Sequence, residues 1–247
     1  MTTTETFSEQ LRAGCEANWQ AATSHRFVAE LANDEISDAD YVRYLILDYA
    51  FLDILVAHVG QAVTTAPSMV EKRQYAGFLG VLTGDEDDYF LRSFAAMGVA
   101  EADWRQPYDH AVVRGFHEIM LGGERVTYAN VLAALLPVEW VYLSWAKSVA
   151  DHAPARFYLK EWIDLHTDLG FEAFVMWMAS EMDRIGSALS ASERRTVRGI
   201  FNKAVELEVA FFNAAYETNS GDAGNGSFEW QDRDDHRRHQ RHWRTHS

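Results

Sequence analysis

Three carboxylates in this 247-residue sequence fall on faces that are otherwise apolar. In a helix, residues three, four and seven apart share a face. By that test Glu139 shares its face with Leu132, Leu135, Leu136, Tyr142 and Leu143. Asp48 falls with Tyr44, Leu45, Phe51, Leu52 and Leu55, and Glu208 with Ala204, Val205, Phe211 and Phe212. His166 lies below Trp162 and Ile163 and above Leu169, so it too is predicted to point inward. A lone carboxylate in an apolar interior is costly, and a single one is more often a cap or half of an ion pair than a catalyst. Three on separate helices, with a histidine on a fourth, fit better around a shared polar ligand or a metal. Glu71, Glu86, Asp87, Glu101 and Glu193 have polar neighbours in sequence and are expected to face solvent.

The residue types narrow the chemistry. Carboxylate-bridged metal sites in helical bundles carry Glu-x-x-His on two helices. That pattern occurs at none of the three acids, and His117-Glu118 has the wrong order, so no metal is expected. His25 would be the axial ligand of a haem, but nothing offers the close glycine approach that a haem face needs, so no cofactor is expected either. There is no G-x-S-x-G motif, and the single cysteine, Cys15, stands beside Glu16, which disfavours a thiolate. Tyr44, Tyr49, Phe51, Trp140, Tyr142, Phe211 and Phe212 lie within a turn or two of the inward acids. Aromatic walls with acids and no bases suit a neutral or cationic heteroaromatic amine and suit a phosphate poorly.

Long helices must position these groups. The apolar period predicts helices at about 7–32, 38–65, 68–97, 107–121, 126–151, 155–167, 169–189 and 192–219, with no strand-like alternation. Ser37, three residues before Asp40, and Ser192, before ERRTVRGIF, read as N-caps. Pro67, Pro107 and Pro154 fall at helix starts or in linkers, and Gly122-Gly123 separates two helices. Pro137, inside LAALLPVEWVYLSW, is expected to kink its helix or free a carbonyl at a pocket wall. The reading is an all-α single domain over 1–218, followed by a disordered polar, Arg/His-rich tail at 219–247. The tail carries His236, His239, His242 and His246.

The net charge of −15 argues against nucleic acid as the main partner. Of the 22 Lys+Arg and 37 Asp+Glu, only 5 Arg and 3 Asp fall in 231–247, so the rest carries 17 bases against 34 acids. One cysteine permits no disulfide within the chain. The first residues lack a signal-peptide pattern, and no apolar run reaches the roughly 20 residues of a membrane span. Together these lead us to expect a cytoplasmic protein without a membrane partner.

The order of several segments resembles the TenA / thiaminase II family. They are Trp19…Ser24-His25-Arg26-Phe27-Val28…Leu31, Tyr41-x-x-Tyr44-x-x-x-Asp48-Tyr49-x-Phe51-Leu52, Leu132-Ala-Ala-Leu-Leu-Pro137-x-x-x-x-Tyr142 and Glu208-x-x-Phe211-x-x-x-x-Tyr216. The resemblance covers about 7–218 and implies a haem-oxygenase-like helical bundle, usually a homo-oligomer (dimer or tetramer), that hydrolyses aminopyrimidines in thiamin salvage. By position it makes Asp48 the acid that binds the aminopyrimidine and Phe51, Tyr142 and Phe211 pocket aromatics. Glu208 takes the place of the catalytic glutamate. His166 stands where a Tyr is usual and is expected to contact substrate or fix a glutamate; the family Tyr near 110–115 has no match. Where the family carries a nucleophilic Cys after the proline, this chain has Val138, followed by Glu139. That resembles the E-type subgroup, which lacks the thiol and is associated with hydrolysis of formylaminopyrimidine and aminopyrimidine. Glu139 or Glu208 is then the expected general base. A non-catalytic pyrimidine binder, or an oxidase or metal oxygenase on the same fold, stays open as an alternative.

Overall fold

The computed structural model describes residues 5–105, 110–123 and 126–217. Every regular element among them is helical: α1 (Phe7–Ala13), α2 (Glu16–Thr23), α3 (Arg26–Ala32), α4 (Asp38–Thr65), α5 (Met69–Val81), a π-turn (Leu82–Glu86), α6 (Asp87–Met97), α7 (Glu101–Trp104), α8 (Ala111–Leu121), α9 (Tyr128–Ser148), α10 (Phe157–Thr167), α11 (Leu169–Gly186) and α12 (Ala191–Ala214). The tail expected at 219–247, and Pro107, lie outside the described residues.

Local chemistry explains where the elements differ from the expectation. The stretch 7–32 is three short helices because caps interrupt it. His25, considered above as a haem ligand, is one of them: its Nδ1 accepts the Phe27 N–H at 3.1 Å and starts α3. Its Nε2 lies 3.2 Å from Asn213 Oδ1. Ser37 caps α4 as expected, its hydroxyl accepting the Asp40 N–H at 3.1 Å. The cap of α12 is Ser190 rather than Ser192, because Glu193 stands three residues after Ser190 and closes a reciprocal capping box there. The run 68–97 is continuous, but one π-turn divides it into α5 and α6.

The centre of the bundle is α9, against which α2, α4, α8, α10, α11 and α12 pack. It passes through Pro137 without interruption, although the proline supplies no N–H to the Ala133 carbonyl. Fourteen of its 21 residues are buried. By length and composition α9 could cross a bilayer, the one such helix among the described residues, but that burial is what a core helix shows. Trp145, Trp162, Tyr44 and Phe211 are fully enclosed around it. Each such ring removes about 150–250 Å² from water, roughly 4–6 kcal/mol at ~25 cal/mol/Å². A core of that size can carry several uncompensated acids, each costing a few kcal/mol.

Two polar clamps tie the core helices. His58, buried on α4, places its ring nitrogens 2.9 Å from the Met120 and Val131 carbonyls of α8 and α9. Glu181 on α11 is also buried, yet it accepts from Arg184 Nε at 2.7 Å and from the Tyr128 hydroxyl at 3.0 Å. It is a satisfied structural acid, and the acids described next contrast with it.

Candidate active site

Asp48, Glu139 and Glu208 are all buried, as is His166. They come from α4, α9, α12 and α10, and each follows from the helical face assigned in sequence. The inner chamber is walled by Asp48, Phe51, Leu52 and Leu55 of α4, Val138, Glu139 and Tyr142 of α9, Trp162 and His166 of α10, and Glu86. Its free volume is only about 20 Å³, close to the space one water fills. Phe211 is not part of the wall: it packs behind Phe51 with ring centroids 6.0 Å apart. Glu208 lies just beyond the wall, close enough to feel the charges of Asp48 and Glu139.

The acids face one another without a base among them. Burial first, then Asp48, pushes the Glu139 carboxyl up to about 8. Burial pushes Asp48 up to about 7, while the nearby Tyr44 hydroxyl partly offsets the effect. Glu208 is held well above the ordinary carboxylate range by burial and by the charges of Asp48 and Glu139. Asp48 Oδ2 and Glu139 Oε1 are buried and have no hydrogen-bond partner. Buried polar atoms in native proteins are nearly always paired, so two orphans in one chamber mark places where a ligand would bond. Among the described residues no three His, Cys, Asp or Glu side chains converge in the manner of metal ligands.

Polar and aromatic neighbours fix the walls. Trp162 Nε1–H donates to the Tyr44 hydroxyl at 3.0 Å, and that hydroxyl lies 2.9 Å from the Tyr142 hydroxyl. His166 Nδ1 lies 2.8 Å from the Trp162 carbonyl and must carry the proton to donate to it, which leaves Nε2 as an acceptor. Burial lowers His166 to about 4, so its ring is neutral at pH 7. Its recorded partner is thus its own helix rather than a glutamate. Val138 fills the wall position where the family resemblance puts a thiol. Cys15 is elsewhere, its Sγ 3.3 Å from the Arg12 carbonyl and its thiol pushed up to about 11 by burial and Glu16.

Glu86 corrects the sequence reading. Expected in solvent, it is the last residue of the π-turn and stands in the chamber wall. The residue is half-buried, since it also borders the outer groove. Burial, Glu139 and Asp48 hold its carboxyl well above the ordinary range. A signal was present in the sequence: Glu86 follows Leu82 by four residues and precedes Tyr89 and Phe90 by three and four, and all three are buried. Its immediate neighbours, Gly84-Asp85 and Asp87-Asp88, masked that register. The opposite side of Glu86 and His166 borders an outer groove of about 540 Å³ between α5, α10 and α11.

Known proteins share this architecture. The chain is 22% identical over 214 residues to the aminopyrimidine aminohydrolase of Helicobacter pylori, covering 85% of this chain and 99% of that one. It is 21% identical over 217 residues to the aminopyrimidine aminohydrolase of Halalkalibacterium halodurans, covering 85% and 95%. A solved TenA homologue from Pyrococcus furiosus matches with a TM-score of 0.77 at 19% identity, over 85% of this chain and 100% of the other. The TenA homologue from P. horikoshii matches at 0.75 and 18%, over 85% and 98%. Such identities speak for the fold, which is the haem-oxygenase-like bundle. The TENA/THI-4/PQQC family profile matches residues 12–218, a span that contains every acid of the chamber and the helices that hold them, and the chain belongs to that family.

Proposed function

We propose that this protein hydrolyses a C–N bond of an aminopyrimidine without a cysteine. The substrates are formylaminopyrimidine, cleaved at its amide, or aminopyrimidine, cleaved at its amine to hydroxymethylpyrimidine, within thiamin salvage. The observation that carries this reading is the pair of unpartnered buried oxygens, Asp48 Oδ2 and Glu139 Oε1, in an aromatic-walled chamber whose wall holds no lysine or arginine. The names of the two curated relatives support the same substrate class.

In this reading Asp48 accepts hydrogen bonds from the pyrimidine amino group, and Phe51 and Tyr142 pack the ring, with Phe211 supporting Phe51 from behind. His166, neutral and with Nε2 free to accept, takes a further N–H of the substrate. Glu139 or Glu208 removes a proton from water; of the two, Glu139 is in the chamber wall, and burial and Asp48 push its carboxyl up to about 8. The hydroxide adds to the carbon, the C–N bond breaks, and a proton passes to the departing nitrogen. The closed chamber requires Glu86 and His166 to give way for a ring to enter from the groove. The protein works as a homo-oligomer in the cytoplasm, and its mass by light scattering checks the assembly.

The test is mass spectrometry of the products from formylaminopyrimidine and aminopyrimidine with wild type, Glu139→Gln and Glu208→Gln. Each variant is expected to lose most hydrolysis while keeping its helical circular dichroism. Wild-type turnover in both variants would sink the assignment.

A further inference from the structure

Glu86 is the acid whose position the mechanism above leaves unused. It is carried by a π-turn, an insertion that in helices is frequently found at functional sites. It lines both the inner chamber and the outer groove, and His166 is the other residue shared by the two. His166 is neutral, and its Nδ1–H is committed to the Trp162 carbonyl, so it has no proton to give into the chamber. Glu208 lies outside the chamber wall. The charged residues that line the groove with Glu86 include Asp85, Glu161, Asp164, Asp168 and Arg73. Arg92 pairs with Glu161, and Lys160 with Asp164.

We propose that Glu86 is a third working carboxyl of the site, the proton donor to the nitrogen that leaves. This rests on the hydrolase reading and gives it the acid that it lacked. Glu86 lines the same small chamber as Asp48 and Glu139, so a third carboxyl stands beside any bond cleaved there. Burial and the charges of Glu139 and Asp48 favour the protonated form of its carboxyl. In formamide hydrolysis, Glu139 takes a proton from water as the oxygen bonds to the formyl carbon. As the C–N bond breaks, Glu86 gives its proton to nitrogen, and the products are the free amine and formic acid, which then loses its proton to solvent water. Proton transfer from Glu139 to Glu86, which are neighbours, restores both groups.

An amide nitrogen cannot leave unless protonated, whereas the alkoxide of an ester can. The experiment therefore compares the N-formyl aminomethylpyrimidine with the O-formyl ester of hydroxymethylpyrimidine, using wild type, Glu86→Gln and Glu86→Asp. A positioned acid contributes about 10²–10⁴-fold. Glu86→Gln is expected to lose at least about 100-fold in kcat on the amide and less than about tenfold on the ester. Glu86→Asp, which keeps the proton one methylene short, should fall between wild type and Glu86→Gln on the amide. A parallel loss on both substrates, in a variant whose melting temperature matches wild type, would assign Glu86 a structural role and overturn the proposal, as would an unchanged amide rate. A wild type that cleaves neither substrate would instead overturn the hydrolase reading on which the proposal stands.

Discussion

Replacing Glu139 with glutamine should make the protein more stable at alkaline pH. The ordinary glutamate value is 4.5, and in the folded protein burial and Asp48 push the carboxyl up to about 8. The folded state binds this proton more tightly than the unfolded chain does. The stability it contributes is therefore complete below about pH 4.5 and is lost as pH rises through about 8. At about 1.36 kcal/mol per pKa unit the whole loss is about 4–5 kcal/mol. Asp48 titrates in the same window and shares the repulsion, so about 2–4 kcal/mol belongs to Glu139 in a single-variant comparison. Glutamine stays neutral throughout. Urea unfolding of wild type and Glu139→Gln at pH 5, 6, 7 and 8 should give similar stabilities at pH 5. By pH 8 the variant should lead by about 2–4 kcal/mol, with a shallower dependence on pH. A variant no more stable than wild type at pH 8 would show that the charged carboxylate is compensated in the folded state, and would refute the account of an unpaired acid.

Other substitutions separate the site from the scaffold. Cys15→Ala should leave turnover within about twofold of wild type, since the thiol lies outside the chamber and burial keeps it protonated; a loss beyond about tenfold (about 1.4 kcal/mol) in kcat contradicts cysteine-independent hydrolysis. Trp162→Phe removes the donor to Tyr44 and should cost about 1 kcal/mol in a thermal melt, together with a raised KM as Tyr44 and Tyr142 loosen; an unchanged KM would detach that hydroxyl pair from substrate binding. Glu181→Gln should cost about 1–2 kcal/mol of stability, because Arg184 loses its ionic partner and one of the two acceptor oxygens becomes an NH2 donor, and should leave kcat intact. A fall in kcat there would mean that this buried acid is not merely structural.

The helical period made most of the fold legible, because α4, α9 and α12 each present one continuous apolar face to the core. The same period exposed Asp48, Glu139 and Glu208, whose surroundings in sequence are apolar on both sides. It failed at Glu86, where a π-turn, a glycine and three aspartates hid a register that Leu82, Tyr89 and Phe90 define. It failed again across 7–32, where short caps such as His25 at α3 interrupt what hydrophobicity alone reads as one helix. The position of Phe211 behind Phe51 was out of reach for a different reason: helical spacing assigns a face, but not the depth at which a ring stops. Sequence could likewise distinguish Glu181 from the chamber acids only through its partners, Arg184 three residues on and Tyr128 from a distant helix.

The most direct test of the central claim is the hydrolysis rate of formylaminopyrimidine and aminopyrimidine by the purified protein at pH 7 to 8, with product formation followed by mass spectrometry. The account predicts release of the free amine or of hydroxymethylpyrimidine by the wild type and by Cys15→Ala alike, and its loss in Glu139→Gln. Tight binding of either compound without any product, or product formation undiminished in Glu139→Gln, would contradict it.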